Sequence, residues 1–319
     1  MSAVPTPLPA GRRRGGRIGD TLLYALTGAA SLGAIALIVA VAYKLVDGTR
    51  LAFSTFGLGF LQTQVWDPVH NHFGALQFIF GTAVTSFIAL LIAAPLSIAI
   101  ALFLTELAPR FMRNTIGALV EMLAAIPSVI LGLWGILVLG PFVQNHLEPW
   151  LHSAFGFIPL FRGTPQSAGI LTASLVLTIM TVPIVASVSR ELFESVPPDL
   201  EEGALALGAT RWEMVRGVVL PYTRPGLVAA TILGLGRALG EAIAVALVIG
   251  GAHGISWSLF AGGDTLASKL AVEYQGAVTK LQVSSLIYLA TILLAIAVVV
   301  NFAAQMVVRR FEFQRTGGS

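Results

Sequence analysis

Cysteine is missing from all 319 residues, which excludes disulfides, thiolate metal sites and cysteine nucleophiles. Lysine is scarce as well: only Lys44, Lys269 and Lys280 occur, preceded by Tyr43, Ser268 and Thr279. A phosphate-cradling P-loop requires Gly-Lys-Ser/Thr, so ATP chemistry of that kind has to reside in another protein. Charged residues make up 11% of the chain, under half the usual share, while 56% is hydrophobic and the mean hydropathy is +0.84. A soluble helical bundle needs charged outer faces, and the apolar runs here have none. The chain reads as an all-α integral membrane protein. No Ser-His-Asp or paired-carboxylate arrangement points to hydrolysis, and enzymatic chemistry in the chain itself is not expected.

Apolar stretches of about 20 residues, the length that crosses a bilayer, fall near 22–43, 76–104, 116–140, 168–188, 226–250 and 283–308. Six spans make one membrane domain, the second carrying Pro95 and therefore expected to kink. Thirteen of the 19 basic residues group on one side of these spans, with Lys44, Arg50, Arg162, Lys269 and Lys280 on the other and Arg237 inside a span. Positive loops stay in the cytoplasm, so both termini are expected inside. The sequence pI near 9.5 then reflects orientation in membrane lipid, not a nucleic-acid partner. Residues 1–19 and 311–319 are expected to be cytoplasmic tails, 20–74 the first helix and an outer loop, and 75–310 the transmembrane domain proper. Ala40-Val41-Ala42 resembles a cleavage site, but its apolar run exceeds a signal h-region, so an uncleaved anchor is expected. The loops at about 44–75, 141–167 and 251–282 carry all five histidines and Trp66, Trp150 and Trp257, which fit an interface belt. His70-x-His72 lacks a carboxylate or cysteine at ligand spacing, so no metal site is expected there.

The most polar internal segment is 189–223. Pro197-Pro198-Asp199 starts a helix, with Asp199 placed to cap it, over about 199–207. Gly208 suits a sharp reversal, and Thr210 caps a second helix running into Pro221. The spacing Glu202-x-Ala204-x3-Gly208-x9-Val218-x-Leu220-Pro221 resembles the cytoplasmic signature of ABC importer permeases, the segment that docks onto an ATPase subunit. That resemblance implies that Glu202 offers a carboxylate to the ATPase and that the small Ala204 and Gly208 allow close approach. Gly203 stands where the signature usually has Ala, which weakens local helix propensity by about 1 kcal/mol. The bland reading is a solvated loop whose charges merely keep it out of the membrane.

Arg237 and Glu241 fall near the middle of the fifth apolar run, four residues apart and so on one face of a continuous helix. Charge at that depth marks a pathway by default, and Gly234, Gly236 and Gly240 beside it permit close approach. A guanidinium fork suits tetrahedral oxyanions, and a neighbouring carboxylate can accept a proton from phosphate but finds none on sulfate. A buried ion pair that only fixes packing is the competing reading.

Gly234-Leu235-Gly236-Arg237-Ala238-Leu239-Gly240-Glu241-Ala242-Ile243-Ala244-Val245, with Ala124-Ala125-Ile126-Pro127-Ser128-Val129-Ile130-Leu131-Gly132-Leu133-Trp134-Gly135 in the third span, resembles the PstC-type permease subunits of bacterial phosphate ABC importers over roughly 75–310. PstA-type subunits are similar but usually carry Ala-Pro after the Gly-Glu pair. The resemblance implies a type I importer permease with six transmembrane helices in the bacterial inner membrane. It also implies a PstA-like partner permease, a PstB-like ATPase dimer carrying ATP and Mg, and a PstS-like extracytoplasmic phosphate-binding protein, with no cofactor on this chain. Pro127 is expected to expose a carbonyl and Ser128 a hydroxyl toward a polar cavity; a structural kink with an internally bonded Ser is the alternative. Glu121 is expected at the interface, with a possible arginine partner on the PstA side. A PstA-like subunit, a sulfate or molybdate permease, an ion-gradient-driven secondary transporter and a membrane signalling scaffold stay open as alternatives.

Overall fold

Helices account for nearly all of the computed structural model, which describes residues 14–251 and 254–316. The principal elements are α1 (Arg14–Phe56), α2 (Leu76–Leu107), α3 (Arg110–Ala124), α4 (Ser128–Phe155), α5 (Ile170–Glu194), α6 (Pro198–Ala206), α7 (Arg211–Gly240), α8 (Ile243–Val248), α9 (Leu266–Glu273) and α10 (Lys280–Thr316). Six of these, counting α1 from Gly19 and α10 to Met306, are long and apolar enough to cross a membrane. The described residues form two compact units, divided between Asp47 and Gly48. Of the expected N-terminal tail, residues 1–13 lie outside the described residues and 14–19 are helical; 311–316, assigned to the C-terminal tail, extend α10.

Three spans differ from their sequence-predicted ranges, the first because its helix runs on to Phe56 through residues assigned to an outer loop. The third starts at Ser128, not near 116, because Pro127 disfavours the helical conformation at Ile126 and the chain breaks at 125–127. Residues 110–124, which carry Arg113, Asn114 and Glu121, form the separate helix α3. At its other end the third span runs on through residues assigned to a loop, despite Pro141 and Pro149. Each of these prolines follows a π turn closed by the N–H of the residue before it: Gly140 to the Gly135 carbonyl and Glu148 to Val143. The wider turn moves aside the carbonyl that a proline ring would strike. The same device precedes Pro221, where the Leu220 N–H reaches the Val215 carbonyl, so α7 passes through Pro221 and Pro225 to Gly240. The fifth span then ends at Gly240, and the rest of its apolar run restarts as α8.

Helix α5 is the centre of the bundle: 78% of its most apolar window is buried, against 28–33% for α2, α4, α7 and α10. Lipid is as apolar as leucine, so close packing and small residues do the joining. Ala89 and Ala93 of α2 are fully buried beside α5, and Ser97 Oγ donates to the Ala93 carbonyl at 2.6 Å and to Val182 at 3.1 Å. The buried threonines of α2 and α5 mostly bond carbonyls of their own helices, as Thr85 and Thr181 do.

One end of the bundle is closed by an aromatic cluster in which Phe60 stacks on Tyr288 at 4.5 Å and Trp66 meets Phe73 and Phe78 edge-on. Trp66, expected in an interface belt, is instead 6% exposed. Its Nε1 donates to Glu273, which also binds Lys269 at 2.5 Å. Trp150 and Trp257 are exposed, as a belt requires.

Candidate functional site

The polar segment folds into a helix, a turn and a second helix. Helix α6 starts one residue earlier than predicted: Pro197 is its N-cap, and Asp199 sits in the first turn without capping it. Gly208 has φ +89°, a backbone that disfavours any side chain with a Cβ, and it turns the chain toward Thr210. There Thr210 Oγ1 accepts from the Glu213 N–H, and Glu213 returns the bond to the Thr210 N–H at 2.8 Å, a full capping box.

Ala204 faces inward. It packs with Phe193, Val196, Met214, Val215 and Val219, so its small size brings α6 against the start of α7 instead of against a partner. Leu220 joins the same cluster, while Pro221 is exposed. Glu202 is exposed, and beside it the structure shows what charge-based reading overlooked: Leu200, Leu205 and Leu207 are exposed, Leu207 at 91%. The signal was present as three leucines in a nine-residue polar knob. Glu201 points the other way, and burial, with a smaller push from the Glu106 carboxylate, raises its pKa. Arg211 donates to the Glu106 carbonyl at 3.1 Å and Arg113 to that of Thr105, tying the knob and α3 to the end of α2.

The two membrane motifs come together. Gly132 of α4 lies so close to α8 that a Cβ there would sit 2.8 Å from Ala244 Cα, and one on Gly135 would sit 2.8 Å from Val248. Residue numbers rise together along this contact, so α4 and the short α8 run parallel where they meet, each starting at a chain break. Glu241 is in that second break, with ψ 119°, and Oε1 accepts from the Ala244 N–H at 3.3 Å. This overturns the expectation that Arg237 and Glu241 share a helix face: α7 ends between them. They form no ion pair, and Arg237 is exposed on α7. The glycines divide. Gly234 is packed against Val185 and Thr181 of α5, whereas Gly236 and Gly240 have nothing within 4 Å of an added Cβ.

Ser128 is the first residue of α4 and half-buried; Pro127 is exposed. The carbonyl expected to be bared is taken, since Ile126 N–H bonds Leu123 at 3.3 Å and the Pro127 carbonyl accepts from Ile130 and Leu131. Glu121 has a partner within its own chain, Arg190 at 3.7 Å, which also binds Glu194 at 2.9 Å. His70 does have a carboxylate: its Nδ1 is 2.6 Å from Asp67 Oδ2, and that bond holds the Asp67 pKa below its ordinary value. No group of three metal-binding side chains occurs among the described residues; His253 lies outside them.

Six membrane helices, chain breaks just before α4 and before the α8 that packs on it, and a short polar knob between α5 and α7 define a class: the membrane subunit of a type I ABC importer. The family model for the binding-protein-dependent transport system inner membrane component matches residues 93–313. The phosphate transport system permease protein PstC of Mesorhizobium japonicum is 45% identical over 99% of this chain and 100% of its own length. PstC of Pasteurella multocida is 47% identical over 86% and 87%. Among solved structures, a bacterial ABC transporter that imports alginate aligns with TM-score 0.53 at 19% identity, covering 90% of this chain and 98% of its own. An inward-facing MetNI methionine transporter gives 0.51 at 21%, covering 75% and 94%; both show the fold alone. The chain belongs to the binding-protein-dependent transport inner membrane family and, within it, to the PstC group of permeases. It is a multi-pass inner-membrane transport subunit that works as part of an ABC importer complex.

Proposed function

We propose that the chain is a permease subunit of an ATP-driven importer of inorganic phosphate and forms the translocation pathway with a PstA-like partner. The observation that carries this reading is the pairing of full-length similarity to PstC proteins with an exposed Arg237 beside the break that holds Glu241. A guanidinium on a span with no acidic partner among the described residues is stabilised by an anion or by the partner's surface, and its planar fork matches phosphate oxygens. Glu241, held by one backbone N–H, keeps an oxygen that can accept the phosphate hydroxyl. Gly236 and Gly240 leave the backbone beside it open; Ser128, at the start of the α4 span packed on α8, adds a hydroxyl to the same region.

The α6 knob is the coupling element. Glu202 gives it charge, and Leu200, Leu205 and Leu207 give it an apolar tip for a groove on a PstB-like ATPase dimer, which supplies ATP, Mg and hydrolysis. Both termini lie in the cytoplasm, and a PstS-like binding protein delivers substrate from outside. The test is labelled-phosphate uptake by the four-component complex in liposomes, with sulfate and molybdate as competitors. ATP-dependent phosphate accumulation resisting both competitors is expected; uptake without ATPase, or equal competition by sulfate, refutes the reading.

A further inference from the structure

Beside the coupling element a cavity of about 610 Å³ opens along the start of α7. Arg216 and Arg224 stand at its edge, both exposed and without an acidic partner among the described residues. They are separated by about 12 Å of helix rise. The neighbouring acid is committed elsewhere: Glu213 binds Thr210. From the arginines the cavity runs along the span over Leu227, Val228 and Ile232, with Ile98 of α2 contributing to its wall. Its one hydroxyl, Thr231, already donates to the Leu227 carbonyl at 2.8 Å. The cavity therefore presents two cations at the end of a span and an apolar trough leading into the bilayer.

We infer that this cavity binds an anionic phospholipid, with the phosphate between Arg216 and Arg224 and part of one acyl chain along Leu227, Val228 and Ile232. Free phosphate satisfies the arginines but leaves the trough empty. An acidic protein surface outside the bilayer has no reach to Ile232, about 24 Å along the helix from Arg216. Basic pockets between membrane helices on the positive side suit such headgroups, each cation adding attraction at the surface. The location requires only that this end of α7 meets the membrane surface.

The experiment is native mass spectrometry of the full-length chain, and of the assembled importer, with equimolar phosphatidylglycerol and phosphatidylcholine. Preferential retention of phosphatidylglycerol is expected in both, falling about tenfold or more in Arg216→Gln/Arg224→Gln and unchanged in Lys280→Gln, exposed at the far end of the spans. Val228→Trp keeps both arginines but fills the trough, and is expected to lose the preference as well. Equal retention of the two lipids, or a preference surviving the double substitution, overturns the inference. So does displacement by millimolar inorganic phosphate with Val228→Trp silent, which assigns the arginines to free anion. A preference present in the lone chain but absent from the importer also overturns it, by assigning the cavity to a subunit interface.

Discussion

Arg237 and Glu241 are four residues apart in sequence but differ in environment. Because Arg237 is exposed and holds no acidic partner among the described residues, Arg237→Ala is expected to abolish phosphate uptake while leaving subunit copurification and thermal midpoint nearly unchanged; uptake within twofold of wild type refutes its pathway role. Glu201 behaves differently. Burial, and then Glu106, raise its pKa, so the folded chain holds this proton more tightly than the unfolded one. Its contribution is then most favourable below the ordinary carboxylate pKa and is lost as pH rises through the folded value. Glu201→Gln is therefore expected to raise the thermal midpoint at pH 8 and to change it little at pH 4; an equal shift at both, or none, counts against this. Half-buried and exposed acids look alike in the string Leu200-Glu201-Glu202. Which one faces α2 and which faces outward is set by how α6 lies on α7.

Proline spacing was the least reliable guide to the helices. Pro127 breaks the chain, while Pro141, Pro149 and Pro221 lie inside continuous spans because a π turn precedes each. A sequence shows the missing N–H but not whether the preceding turn widens. The Gly208 reversal and the Thr210 cap were legible because they depend on neighbours within three residues. Two predictions belong to elements. Gly132→Val places branched carbon against Ala244, pushing α4 away from α8; overpacking of this kind typically costs about 1–3 kcal/mol. Lowered complex yield and lost uptake are expected, and a normal midpoint with normal uptake refutes the close contact. Glu202→Lys reverses the charge at the exposed position 202 without touching the Ala204 side packed on α7. ATPase copurification is expected to fall while the chain stays folded, and unchanged ATPase binding removes Glu202 from the coupling surface.

For the whole molecule, the absence of cysteine provides a direct test of orientation. With Glu202→Cys and Trp257→Cys made singly, a membrane-impermeant maleimide on intact cells is expected to label position 257 and to reach position 202 only after permeabilisation; the reverse pattern inverts the topology. Membrane residence, the number of spans and the docking signature follow from composition and short-range spacing, because burying about 20 apolar residues in lipid and capping a turn are decided within each segment. Tertiary packing alone decided that α5 forms the centre, that α4 and α8 meet in parallel, that Glu241 leaves the helix bearing Arg237, and that Ala204 turns inward while Leu207 turns out. Those outcomes depend on which surfaces approach closely enough to exclude a Cβ. That distance exists only between segments far apart in the chain.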